Sequence, residues 1–129
     1  MKLRIVLSIA AVYMALVGLG MMVVPRYFGV GAVPADAPPA LIAFLRIFGG
    51  PCLGIAVLNW LSRNAEPSPT LDAVVLGNIV GFSAVAANDV WGVVSGDARQ
   101  AATLFLVIHL AIALAFISAF RNRTRARHG

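Results

Sequence analysis

Four runs of about twenty predominantly apolar residues constrain this chain more than any other feature of its sequence. Each is long enough to cross a hydrocarbon core of about 30 Å as an α-helix. A helix is expected for each run, because lipid offers no hydrogen-bond partner to an unpaired backbone group. The sequence therefore predicts an all-α fold, a single four-transmembrane-helix bundle of antiparallel, up-and-down topology, with spans at about 3–24, 40–61, 72–94 and 101–120.

Composition supports lipid as the surrounding solvent. Hydrophobic residues make up 60% of the 129 residues and charged residues only 12%, where a soluble domain usually carries about 25% charged residues. A soluble protein of this size could not bury that much apolar surface, because its surface-to-volume ratio is too high. We therefore expect membrane lipids to be partners of the chain. The start, Met1 to Arg4 before an apolar run, resembles a signal peptide, but the run is too long for one and no clear cleavage site follows, so the first span is expected to be retained.

Local signals mark the ends of the spans. Pro25 is expected to end the first helix, and the stretch 26–39, rich in glycine and proline, is expected to be a non-helical loop. Ser68 followed by Pro69 is typical of a helix start, with Ser68 as the N-cap. Ser95-Gly96-Asp97 is expected to close the third span.

The distribution of basic residues predicts the orientation. Basic residues flanking a span indicate its cytoplasmic end, so a 7:2 division between the two sides places both termini in the cytoplasm. The basic residues of the tail 121–129 are therefore interpreted as a topology signal, and we expect no nucleic acid partner. The seven are Lys2, Arg4, Arg63, Arg121, Arg123, Arg125 and Arg127, and the two are Arg26 and Arg99.

Two charged residues within the spans are expected to pair. Arg46 and Asp89 each lie about five residues from the outer end of their spans, so antiparallel helices would bring them to the same depth. Pairing would offset the cost of about 2.5–3.5 kcal/mol for a lone charge at the membrane centre, and Asn88 could assist. Such a pair would either fix the helix register or line an outward-facing pocket for an anionic or polar headgroup.

The third span carries a polar face that we expect to point inward. Helical periodicity groups its small and polar residues and assigns its apolar residues to the opposite face, and Asn78 is expected to form an interhelical hydrogen bond. The polar set is Asn78, Gly81, Val85, Asn88, Asp89 and Gly92; the apolar set is Val75, Ile79, Phe82 and Ala86.

His109 and Tyr13 lie at similar depth near the middle of their spans. Either could bind a quinone-like headgroup or carry a proton, whereas the structural alternative for His109 is a hydrogen bond between helices. The other histidine, His128, lies in the tail, so bis-histidine haem is excluded. The single cysteine, Cys52, is expected to be a small buried hydrophobe, and the sequence predicts no metal and no cofactor.

Small-residue motifs occur in the two middle spans. Gly50-x-x-x-Gly54 and Gly77-x-x-x-Gly81 permit close approach of helix backbones. They would support tight packing within the bundle as well as association between chains.

The succession of motifs resembles a known group of proteins. Pro25-x-x-Phe28-Gly29 is followed by Leu45-Arg46-Ile47-Phe48-Gly49-Gly50-x-x-Leu53-Gly54, a short polar loop and a glycine-rich third span. This pattern is similar to small bacterial four-helix membrane proteins in the neighbourhood of the DoxX-like proteins. The resemblance implies a multi-pass protein of the bacterial inner membrane with no settled activity, and marks Arg46 and Gly49-Gly50 as signature positions.

Three functions are compatible with these features. Common catalytic motifs are absent from the sequence, which favours a non-enzymatic accessory or interaction module whose partner is a membrane protein or a second copy of the chain. The alternative is a binder or carrier of a quinone or lipid, held by a polar cluster. The residues of this cluster are Arg46, Asp89, Asn88, Asn78, His109 and Tyr13. The third hypothesis is an oligomeric channel or transporter.

Overall fold

The computed structural model of the protein describes residues 2–28, 33–97 and 101–128, with side chains described as far as Arg125. Every regular element in these ranges is a helix, which confirms the all-α fold class. Four of the helices are long and apolar enough to cross a membrane. The elements are α1 (Leu3–Val23), α2 (Pro25–Phe28), α3 (Pro39–Ser62), α4 (Pro69–Ser95) and α5 (Ala102–His128).

The surface of the bundle is apolar along the length of the helices. Only 17–33% of the residues in the most apolar stretch of each long helix are buried inside the protein. Side chains such as Ile47, Val80 and Val94 are mostly exposed, at 73%, 67% and 81% of their surface. A soluble monomer rarely presents an apolar surface this extensive, so the exposed surface is that of a multi-pass membrane protein.

The hydrophobic core lies between α1, α4 and α5. Leu7 of α1, Val75 of α4 and Phe116 of α5 have no exposed surface. Phe82 stacks on Phe116 with ring centroids 6.2 Å apart, which fixes α4 against α5 at the centre of this core.

Helix α3 packs mainly along α1, and glycines permit the close approach. A Cβ atom at Gly18 would lie 2.9 Å from the carbonyl oxygen of Gly49, and one at Gly49 would lie 2.6 Å from the carbonyl oxygen of Gly18. Real Cβ atoms essentially never come that close to a backbone oxygen. The contact between α1 and α3 therefore depends on both residues lacking a side chain, as in other close-packed membrane helices.

The predicted helix ends are partly confirmed. The Ser68 hydroxyl accepts a hydrogen bond of 3.2 Å from the Leu71 amide at the start of α4. At the other end of α4, Gly96 adopts a left-handed conformation with φ of 78°, which ends the helix as glycine commonly does. Cys52 is buried, as expected.

Two predictions about the chain between and after the spans need correction. Stretch 26–39 was expected to be non-helical, but Pro25 begins the short helix α2, since proline fits the first position of a helix and the Phe28 amide bonds to the Val24 carbonyl at 2.9 Å. Positions 29–32 of that stretch lie outside the described residues, as does Arg99. The predicted fourth span ended at Phe120, whereas α5 continues through the basic tail.

The predicted inward face of α4 was wrong for three of its six members, which are exposed. Val75, Phe82 and Ala86 are buried together with Asn78, whereas Gly81 and Asn88 are exposed. At about 100° per residue, Phe82 lies only about 40° around the helix from Asn78, so the apolar set belongs to the same face as Asn78. The core selects this face because burying aromatic and branched side chains contributes more than burying glycine.

The antiparallel order of the four helices stays a prediction at this stage.

Candidate polar site within the bundle

A hydrogen-bonded network of three side chains joins α1, α4 and α5. The Tyr13 hydroxyl lies 2.6 Å from Nε2 of His109, and Nδ1 of His109 lies 2.6 Å from Oδ2 of Asp89. Each of the three residues comes from a different helix, so the network can form only when all three helices are packed together. The prediction that Tyr13 and His109 lie at similar depth is confirmed.

Aromatic rings surround the histidine and keep its environment apolar. The His109 ring lies 6.3 Å from that of Phe82 and 6.2 Å from that of Phe105, and Tyr13 meets His109 edge to face. The side chains of His109 and Asp89 are only 11% and 17% exposed. Hydrogen bonds in such a setting are strong, and a polar group that loses its partner there is costly.

The chemistry of the network is that of an oriented imidazole. With Asp89 ionised, Nδ1–H of His109 donates to the carboxylate, and Nε2 accepts from the Tyr13 hydroxyl. Both ring nitrogens are then engaged by side chains of the chain itself. The arrangement therefore corresponds to the helix-joining alternative for His109, and it leaves the ring no free nitrogen to bind a headgroup.

A second polar contact joins α3 to α4. The amide groups of Asn59 and Asn78 form two reciprocal hydrogen bonds of 2.9 and 2.7 Å, and Asn78 also donates to the Val74 carbonyl at 2.9 Å. Both residues are buried. The interhelical hydrogen bond predicted for Asn78 is confirmed, and its partner is Asn59. Its one signal was an amide inside an apolar run.

The predicted ion pair between Arg46 and Asp89 is not formed. Asp89 lies on the buried side of α4 and binds His109, whereas Arg46 is exposed on α3 and makes no ion pair within the described ranges. Asn88 is also exposed, because one residue along a helix turns the side chain by about 100°. Of the six selected residues, three therefore form one network, Asn78 forms another contact, and Arg46 and Asn88 face outward.

Two cavities stand apart from these polar contacts. One of about 350 Å³ lies at the end of the bundle where α1 and α4 begin, and one of about 170 Å³ lies between α1 and α5, lined by apolar side chains including Val6 and Ile112. Neither is lined by Tyr13, His109 or Asp89. Within the described ranges, no three residues of the metal-binding types come together.

Comparison of the chain with protein-family profiles, curated proteins and solved structures found no match.

Proposed function

We propose that this chain is a non-enzymatic accessory module of the bacterial inner membrane that associates laterally with a second copy of itself. The observation that carries the proposal is the difference between the small and polar residues inside the bundle and those on its outer surface. Those inside the bundle bind one another, whereas those on the outer faces of α3 and α4 are left exposed.

The outer face of α3 has the composition of a helix-association surface. Arg46, Gly50 and Gly54 are four residues apart and so share one side of the helix, and all three are exposed. A Cβ atom at either glycine would meet no atom of the described chain within 4 Å. Because nothing in the bundle needs these glycines to be small, their flat surface is available to a neighbouring helix.

Helix α4 carries a similar outer face. Gly77, Gly81 and Asn88 are exposed on one side of the helix, and Cβ atoms at both glycines would meet open space. An exposed amide or guanidinium at membrane depth is unfavourable in lipid. A neighbouring chain would cover Asn88 and Arg46 and supply hydrogen-bond partners.

The alternative of a quinone or lipid bound by the predicted polar cluster has less support. Tyr13, His109 and Asp89 satisfy one another, and neither described cavity reaches them. Asn78 is likewise engaged by Asn59.

We also propose that the four helices cross the membrane in alternating directions with both termini in the cytoplasm. Asp72 near the start of α4 contacts Arg123 near the end of α5, whereas Asp89 near the end of α4 contacts His109 in the first half of α5. This order of contacts supports opposite directions for α4 and α5. The basic residues at one end of the bundle support a cytoplasmic location for that end.

Lateral association gives a direct test. In the variant Gly50→Leu/Gly54→Leu we expect association to weaken at least tenfold, because two bulky side chains would hold a second helix away from α3. We expect stability to change little, since both positions are open within the bundle. Energy transfer between donor- and acceptor-labelled chains, diluted in phosphatidylcholine vesicles, measures the association.

Ile55→Ala is the matched control, because it alters an exposed residue of the same helix without adding bulk to the glycine face. If the double leucine variant transfers energy as well as the parent chain, association through α3 is wrong.

A further inference from the structure

The larger cavity lies at the end of the bundle that carries most of the basic residues. Three arginines line it: one from α1, one directly after the end of α3 and one from α5. Apolar side chains from the start of α1 and α4 complete the lining. Its volume is about 350 Å³, and the lining includes Arg4, Arg63, Arg123, Leu3 and Leu71. A cavity of this size is in the range that accommodates small ligands.

We propose that this cavity binds a phosphate group, carried either by an anionic lipid headgroup or by a free phosphate ion. Guanidinium groups match phosphate oxygens in geometry and charge and are the preferred side chains for phosphate recognition. The proposal concerns a different part of the chain from the association faces and does not depend on them.

Local structure holds one of these arginines in place. The Arg63 guanidinium lies 3.7 Å from the centre of the Trp60 ring, and its Nη1 donates to the Trp60 carbonyl. Stacking on the indole face orients the guanidinium, and it leaves the remaining N–H donors of this group for an anion. Because the side chain is already ordered, binding would cost less conformational entropy.

Arg123 adds positive charge from the cavity wall. Its Nη2 lies 3.1 Å from Oδ1 of Asp72, yet Nη1 and Nη2 are buried and make no aligned hydrogen bond within the described chain. Asp72 at Arg123 and Glu66, exposed in the loop between the lining residues Ala65 and Pro67, offset part of the charge of the three guanidinium groups. The cavity therefore keeps a net positive potential, and Arg4 and Arg63 are the groups placed to contact an anion directly.

The place of the cavity fits a lipid phosphate as well as a free ion. Leu3 and Leu71 give it an apolar portion, while the arginines give it a charged portion. Arginine side chains at the ends of transmembrane helices commonly reach the headgroup layer. A phosphodiester with its acyl chains along α1 and α4 would meet both portions.

Binding is tested with the full chain in a neutral maltoside detergent. The three probes are dihexanoyl phosphatidylglycerol, dihexanoyl phosphatidylcholine and inorganic phosphate. Each is titrated while the melting temperature of the protein is followed, because a ligand that binds the folded state raises the melting temperature. We expect phosphatidylglycerol to bind at least tenfold more tightly than phosphatidylcholine. Saturation by inorganic phosphate as well would identify a free phosphate site, and no effect of that ion would identify a lipid headgroup site.

The variants Arg4→Gln and Arg63→Gln are each expected to weaken phosphatidylglycerol or phosphate binding about tenfold. Arg125→Gln is the matched control, because it removes the same charge from an exposed position of α5 that does not line the cavity. Equal weakening in all three variants would mean diffuse surface attraction and would overturn the proposal. Equal affinity for phosphatidylcholine and phosphatidylglycerol would also overturn it.

Discussion

Replacing His109 with leucine is expected to lower the free energy of unfolding by about 3–5 kcal/mol, the range for removing one partner of a buried ion pair or charged hydrogen bond. The Asp89 carboxylate would lose the donor that lies 2.6 Å away, and the Tyr13 hydroxyl would lose its contact with Nε2. The carboxylate would keep its largely buried position, with a side chain only 17% exposed, and would lack this donor. Reversible unfolding in mixed micelles, followed by circular dichroism, measures the change.

Two further variants separate the loss of the network from loss of packing. Val90→Leu alters an exposed apolar residue of α4 next to Asp89 and is expected to change stability by less than about 0.5 kcal/mol, as surface substitutions usually do. The double variant Asp89→Leu/His109→Leu removes both partners and is expected to recover much of the stability lost in His109→Leu. A single variant His109→Leu as stable as Val90→Leu would contradict the structural role of the network.

Adjacent glycines in α3 are expected to respond to alanine with opposite signs. In Gly49→Ala the new methyl group would lie 2.6 Å from the Gly18 carbonyl oxygen, so α1 and α3 must move apart. Overpacking of this kind costs about 1–3 kcal/mol. At Gly50 the methyl group meets open space within the bundle, and alanine is favoured over glycine in a helix by up to about 1 kcal/mol.

The comparison of the two alanine variants is made by the same unfolding measurement, with each chain at a concentration where it is monomeric. Gly49→Ala should unfold more readily than the parent chain and Gly50→Ala should be as stable or more stable. Equal stability of the two variants would show that α1 and α3 do not approach through Gly18 and Gly49. Because the ring of Pro51 conflicts sterically with a Cβ on the residue before it, the gain in stability at Gly50 is expected to be smaller than at a helix position that no proline follows.

The sequence predicts position along the helices better than rotation about them. Length and hydropathy determine the four helices, and the cap at Ser68 and the glycine at Gly96 mark two ends of α4. These signals are local. The rotation of each helix depends on which side chains fill the space between helices, and one residue changes the direction by about 100°. That difference separates the buried Asp89 from the exposed Asn88.

The same limit explains the missed partners in the candidate site. Arg46 and Asp89 were matched by depth and opposite charge, but His109 of α5 also lies within reach of Asp89 and faces it across the core. Asn59 was missed because one amide in an apolar run does not reveal which helix it faces. Tyr13 and His109 were recognised because each is an unusual residue in the middle of a span, where polar groups need partners.

The cavity lined by Arg4, Arg63 and Arg123 was also beyond the reach of the sequence pattern. The basic tail was expected to have a topological role. The structure instead continues α5 through the tail, so Arg123 is held against Asp72. The extension of α5 brings Arg123 to the same cavity as Arg4 and Arg63, which lie far from it in the sequence.

Native mass spectrometry of the parent chain, released from a mild detergent, tests the central claim most directly. The account predicts assemblies of two or more copies that are reduced to single chains by Gly50→Leu/Gly54→Leu. The contradicting result is a parent chain that is monomeric in both detergent and vesicles and that retains a quinone, while a variant in which His109 is replaced does not retain it. That result would favour a ligand carrier instead.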